Sequence, residues 1–179
     1  MFVVRVAAVF LLIVPLAAQT TAQNGRYTQR GVSFDVPAAW AYRGTLAAEA
    51  PPDETARWIE PQTGINFYAW VSRRPVPPES IATLIAEAVA RKTQQRAREG
   101  YKAWRVRRES VRQITVGGHP GLFAIADYDS NGDGRPRVEC LAWIFTPESR
   151  VLLFAFMRPE QRSAFQPQFE KIVQSAIVP

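Results

Sequence analysis

The sequence predicts an α+β fold, an antiparallel central sheet covered by helices on both faces as an α/β/α sandwich. Three observations carry this expectation. The last three candidate strands follow one another through short turns, whereas a parallel pair needs a crossover of about a dozen residues or more. Two of those strands, Cys140 to Phe145 and Val151 to Met157, are apolar at every position, which implies burial on both faces. Two amphipathic helical patterns are the only segments available to cover them.

At the N-terminus, Arg5 precedes an apolar run from Val6 to Ala18, and Thr20 and Ala22 fill the small positions before a scissile bond. Residues 1–22 therefore read as a signal peptide whose removal leaves Gln23 first. Pro15 interrupts the run, which falls short of the roughly 20 residues that span a bilayer. No acylation cysteine follows, so no transmembrane segment or lipid anchor is expected after cleavage. The expected location is periplasmic or secreted, with residues 23–179 forming one domain of ordinary size.

Val32, Phe34 and Val36 alternate with Ser33 and Asp35 from Gly31 to Pro37, which predicts a strand. Pro37 turns the chain into a second short strand from Trp40 to Arg43. Ala56 to Glu60 and Ile65 to Ser72 form the next pair, joined by Pro61, Gln62, Thr63 and Gly64, which is hairpin chemistry. Ile81, Leu84, Ile85, Ala88 and Val89 recur at helical spacing, with Pro78 and Glu79 suited to the first turn and Gly100 to the C-terminal cap. Four strands are expected next: Tyr101 to Val116, Gly121 to Asp129, Arg137 to Thr146, and Arg150 to Met157. Phe165, Phe169, Ile172, Val173 and Ala176 form the stripe of a closing helix, which Pro167 should start or kink.

The formal net charge is +6, one unit of it from Arg5, and arginine supplies nearly all the positive charge. This balance permits anionic partners without requiring them. Cys140 is the only cysteine, so no intrachain disulfide forms and the fold rests on packing. Its alternation with Val138, Ala142 and Ile144 points to a buried, inert thiol.

Three stretches of sequence together resemble Mog1/PsbP-like domains, including the PsbP-like and DcrB-like exported bacterial proteins. Gly31-Val-Ser-Phe-Asp-Val-Pro37 followed by Trp40 is similar to the family's opening strand. Val116-Gly117-Gly118-His119-Pro120-Gly121 is similar to its glycine turn before a long hairpin, and Phe169-Glu-Lys-Ile-Val-Gln-Ser175 to its closing helix. The resemblance covers about residues 26 to 179 and implies an interaction or accessory module, since members are mostly not enzymes. They include extrinsic photosystem subunits, small-GTPase binders, bacterial lipoproteins and secretion-associated chaperones. No partner-contact motif of these groups matches positions here.

Asp129, Asn131, Asp133 and Gly134 fit the first half of a calcium loop, in which alternating oxygen ligands precede a glycine turn. The second half departs from that pattern: Cys140 stands where a bidentate glutamate belongs, Glu139 is one place early, and Arg135 and Arg137 oppose a cation. Calcium is the one cofactor the sequence offers, and a hairpin turn using Asn131-Gly132 or Asp133-Gly134 is the simpler reading. A basic run from Arg91 to Arg112 includes Arg96, Arg98, Lys102, Arg105, Arg107 and Arg108, with Tyr101 and Trp104 as interfacial anchors. Lys102, Trp104, Arg105, Arg107 and Arg108 are thus candidates for binding a partner or an anionic surface, with a solvated strand margin as the alternative. Nucleic acid is not an expected partner for an exported protein.

His119 is the only histidine, in a setting that suits a turn, and Ser110 and Asp127 are the residues that could complete a triad with it. Asp127 and Asp129 would share a strand face, a pattern more often solvated than catalytic. No nucleophile elbow, paired metal-binding histidines or phosphate-binding glycine loop accompanies them. The sequence therefore points to an exported, non-enzymatic accessory or protein-interaction module of the cell envelope, with an envelope protein as partner. The alternative is a small-ligand or calcium-binding domain using the 127–134 hairpin and its aromatic neighbours, and a hydrolase comes third.

Overall fold

The computed structural model describes residues 25–46 and 53–179. The signal peptide read at 1–22 lies outside the described residues. The described residues open with a strand that alternation alone does not reveal, β1 (Arg26–Gln29), paired with β2 (Val32–Asp35). The two-residue link Arg30-Gly31 has positive φ at both positions, 51° and 81°. That is the turn whose twist suits a tight hairpin, and it places Tyr27 and Phe34 side by side in the core.

β3 (Ala41–Thr45), β4 (Asp53–Ile59) and β5 (Asn66–Ser72) lead into α1 (Pro78–Arg98). Gly100 ends this helix as expected: at φ 79° its N–H bonds the Ala97 carbonyl, while the N–H of Tyr101 bonds that of Arg96. This is the paired C-terminal cap that glycine permits. The predicted strand Tyr101 to Val116 is instead two strands, β6 (Lys102–Val106) and β7 (Arg112–Val116), separated by a single 3₁₀ turn at Arg108–Ser110. The Ser110 hydroxyl accepts the Ile125 N–H at 2.8 Å and donates to the Arg107 carbonyl at 2.7 Å, so a polar side chain occupies the break.

β8 (His119–Asp129), β9 (Pro136–Phe145) and β10 (Arg150–Met157) complete the sheet, and α2 (Arg162–Gln174) follows a 3₁₀ turn begun by Pro159. Pro167 does not start α2 but lies inside it, in its second turn, where its missing N–H forgoes one bond to the Ser163 carbonyl. Nor does the chain end on the helix. Ile177 exchanges two backbone bonds with Ser33, and Ser175 accepts the Asp35 N–H at 2.8 Å, which ties the C-terminus to β2.

The fold is α+β: among the described residues, an eight-stranded sheet in the order β3-β4-β5-β10-β9-β8-β6, with β7 also pairing β8, and two α-helices. Every strand pair in it is antiparallel. Alternate side chains of its strands enter two separate clusters. Phe123, Ile125, Cys140, Ala142 and Leu153 pack with Phe34 of β2 and with Phe165, Phe169, Ile172 and Val173 of α2. Leu122, Ala124, Leu141, Trp143 and Leu152 pack with Ala88 and the half-buried Ile81, Leu84, Ile85 and Val89 of α1. Every residue from Val138 to Phe145 is buried, but in β10 Phe154 and Phe156 are only partly covered. Burial of β10 on both faces, as its unbroken apolar run predicts, is therefore incomplete on the α1 side.

Candidate functional site

The partial cover has a geometric cause. α1 packs against β6, β8 and β9, and between it and the side chains of β5 and β10 runs a groove of about 530 Å³. Its walls are aromatic because β5 and β10 present alternate residues to this side: Tyr68 and Trp70 from one, Phe154 and Phe156 from the other. Tyr68 stacks on Phe154 with ring centres 4.9 Å apart, and Phe156 meets both edge-on. A smaller hollow of about 400 Å³ adjoins the groove through Tyr68 and Phe156 and carries Arg57, Arg137 and Arg158.

A buried ionic cluster lies beside the groove. Glu139, fully buried in the middle of the sheet, receives both ends of the Arg96 guanidinium, with Nε donating to Oε2 at 3.2 Å and Nη2 donating to Oε1. Trp104 Nε1 donates to the same carboxylate at 2.9 Å, and Arg96 Nη1 donates to Glu99 at 2.6 Å. Burial works against the charge on Arg96, but the Glu139 and Glu99 carboxylates more than offset it and keep the guanidinium protonated. Partial burial would raise the Glu99 carboxyl, yet Arg96 holds it below the usual carboxylate range. The Arg96 guanidinium also faces the Tyr101 ring at 4.6 Å and the Phe156 ring at 5.2 Å.

Lys92, one turn before Arg96 on the same helix face, is only 5% exposed. Its ammonium sits 5.1 Å from the centre of the Phe154 ring and donates to the Gln95 side-chain oxygen at 3.3 Å. Burial pulls its pKa down from 10.5 to about 8, against the opposing pull of Glu139.

The residues singled out from sequence fall elsewhere or take other roles. Trp104 faces inward as a donor to Glu139 because β6 carries a bulge at Ala103, whose φ of 53° shifts the register against β8 and re-aims the next side chain. Arg107 is held by both oxygens of Asp127 at 2.7 and 2.8 Å. Lys102, Arg105 and Arg108 stay exposed on this sheet edge, so the five candidates do not form one surface.

In the 129–135 turn, Asp133 Oδ1 accepts the Arg135 N–H at 3.1 Å and Oδ2 accepts the Arg137 guanidinium at 3.0 Å. Asn131 donates to the Glu99 carbonyl at 3.1 Å, pinning the turn to the end of α1. These are the bonds of a hairpin turn, and among the described residues no group of three or more His, Cys, Asp or Glu is placed to hold a metal ion. The Asn131 and Asp133 side chains are thus engaged in local turn bonds, as the hairpin reading of this stretch expects. His119 is not in the turn either: it opens β8 opposite Val116, after the positive-φ pair Gly117-Gly118. Asp127 is eight residues farther along the same strand, about 26 Å away at strand rise, so the two belong to no common triad with Ser110. Cys140 is buried, and its thiol is pushed up to about 12 by burial.

At the level of sequence, no family model and no curated protein matches this chain. The comparison that decides the fold is with solved structures. The solution structure of cyanobacterial PsbP (CyanoP) from Synechocystis sp. PCC 6803 aligns over 93% of this chain and 100% of its own, with a TM-score of 0.65 at 14% identity. This chain has a PsbP-like fold. LpqN of Mycobacterium tuberculosis, described as involved in cell envelope biogenesis, aligns over 83% of both chains with a TM-score of 0.57 at 14% identity. The PsbP-like landmarks have structural roles here: the Gly31 turn, the Phe34 core position, Trp40 stacked on Phe165 at 5.6 Å, and Ser175 bonded to β2.

Proposed function

We propose that this protein is an exported, non-enzymatic accessory module of the cell envelope that acts by reversible binding in the groove between α1 and β5–β10. The single observation behind this reading is the half-covered aromatic floor of that groove, set beside an ion cluster whose charges are already satisfied. Within the cluster Arg96, Glu139 and Glu99 are all paired, and charges held in this way support recognition rather than proton transfer. On this reading the sheet is shielded by one helix on each face, with the α1 side left partly open for a partner. The PsbP-like fold and the envelope role of LpqN support the assignment by analogy. In the same proposal residues 1–22 are the leader, 23–179 the working domain, and the periplasm or exterior its place.

A photo-crosslinking residue at position 70 tests it in the native envelope, with one at the part-exposed Gln168 of α2 as control. A discrete adduct from position 70 that is absent at 168 and suppressed by Leu84→Arg is the expected outcome. Equal labelling from both positions overturns the groove as the working surface.

A further inference from the structure

With the groove taken as the binding surface, a reading on which the choice of ligand rests, its lining discriminates among ligands. Its volume, about 530 Å³, lies within the usual few hundred to about a thousand Å³ of small-molecule sites. Five cationic side chains, Arg91, Lys92, Arg96, Arg98 and Arg150, line it against a single carboxylate, Glu99, which Arg96 already engages. The cations differ in how they are answered. Arg91 pairs with Glu87, and Arg96 with Glu139 and Glu99. Lys92 has only a neutral amide oxygen as its hydrogen-bond partner among the described residues, although it is the cation most embedded in the aromatic wall. Farther along, Arg150 Nε is buried with no hydrogen-bond partner among the described residues. A buried ammonium with no salt-bridge partner among the described residues, on which Glu139 and Glu99 act only from farther off, and an orphaned guanidinium donor both carry desolvation costs that an incoming anion relieves.

Of the remaining lining residues Thr55, Tyr68, Gln95 and Tyr101 carry polar atoms, while Trp70, Leu84, Phe154 and Phe156 offer hydrocarbon and ring faces and few donors. A compact polar anion would leave these walls wet, and a neutral hydrocarbon would leave Lys92 unanswered. We propose that the groove holds an amphipathic anion, its carboxylate or phosphate head at Lys92 and its hydrocarbon body laid against Trp70, Phe154 and Phe156. Such a ligand reaches an exported protein either as a free fatty acid or as a lipid in a membrane, and the head chemistry is shared.

The test titrates the purified protein with tetradecanoate, tetradecyl phosphate, tetradecanol and tetradecyltrimethylammonium by calorimetry, below the micelle-forming concentration of each. The two anions are expected to bind one per protein, at least about tenfold tighter than the alcohol or the cation, as one charged hydrogen bond implies. Lys92→Met, which keeps the stem and removes the charge, should abolish that preference while leaving tetradecanol affinity unchanged. Trp70→Ala should weaken all four, and circular dichroism of both variants checks that they fold.

Equal affinity for alcohol and anion, or an undiminished preference in Lys92→Met, overturns the anion proposal and leaves the groove standing as a binding surface. Binding untouched by Trp70→Ala in a folded protein removes the groove itself. Co-sedimentation with phosphatidylglycerol vesicles that is lost in Lys92→Met assigns the ligand to a membrane, whereas tetradecanoate binding without vesicle binding assigns it to the free acid. Either result upholds the shared head chemistry.

Discussion

Lys92 links the ionisation of one side chain to the stability of the whole. Its folded pKa of about 8 lies below the ordinary 10.5, so between those values the unfolded chain holds more protons than the folded one. Stability therefore rises as pH climbs through that window, by about 1 kcal/mol from pH 7 to pH 9. The gain stops near the ordinary thiol value of 9.0, because burial pushes Cys140 up to about 12 and the unfolded chain then ionises first; the Tyr27 and Tyr128 hydroxyls, also pushed up by burial, make stability fall from about pH 10. Urea titrations across this range should show the rise in the wild type and lose it in Lys92→Met. A flat wild-type profile would mean that Lys92 is as well solvated as a surface lysine.

Glu139 poses the complementary case of a buried charge that has its partner. Glu139→Gln leaves the Arg96 guanidinium with one of its two carboxylates and should cost about 3–5 kcal/mol. Replacing both, Arg96→Met with Glu139→Leu, should recover most of that loss, because an apolar pair carries no desolvation penalty. Chemical denaturation of the two variants beside the wild type reads both effects, and a double variant weaker than Glu139→Gln would show that the ion pair stabilises the fold beyond its packing. The sequence carries a trace of this cluster. Glu139 is the one charge between Val138 and Phe145, and Lys92 and Arg96 continue the helical stripe of Ile85 and Val89.

At the level of elements, the strands show how the sheet is joined and where it stops. Gly121 allows β8 and β9 to approach closely: a Cβ there would collide with the Trp143 carbonyl and press on the Ile114 side chain. Gly121→Ala should lower stability by about 2 kcal/mol or more, read as a drop in denaturation midpoint with an unchanged slope. No loss would show that the two strands can part without cost. The outer strands are blunted by different means. β3 carries a register shift between Tyr42 and Thr45, while β6 combines its bulge at Ala103 with exposed Lys102 and Arg105. Both devices discourage pairing with another chain, which gives the basic margin of β6 a structural purpose apart from any ligand.

For the molecule as a whole, export and binding make separate predictions. If the leader is removed as its pattern implies, mass spectrometry of the protein released by osmotic shock should find Gln23 at the N-terminus. An intact Met1 confined to the cytoplasm would overturn that assignment. Binding, in turn, rests on the unequal cover of the sheet. Among the described residues, Tyr27, Phe34, Phe165 and Phe169 of β1, β2 and α2 are buried in one cluster, while Trp70, Phe154 and Phe156, which belong with the α1 cluster or its groove, stay part-exposed.

Local chemistry is what the sequence by itself determined. Apolar patterning located β2 to β5 and β8 to β10 while merging β6 and β7 into one strand, Pro78 and Gly100 bounded α1, and short links required antiparallel neighbours. Each of those signals acts within a few residues. β1 escaped because four residues with one buried ring give too little periodicity, and of the two roles the sequence left open for Pro167, starting or kinking α2, the start is overturned because Pro159 had already begun the turn into it. The site belongs to the tertiary structure. Which side chains line the groove depends on where α1 crosses the sheet, and Lys92 meets Phe154 across some sixty positions of sequence only once β5 and β10 have paired. Periodicity tells which side of an element is buried, whereas the burial of a particular charge, and so its energy, depends on what the rest of the chain brings against it.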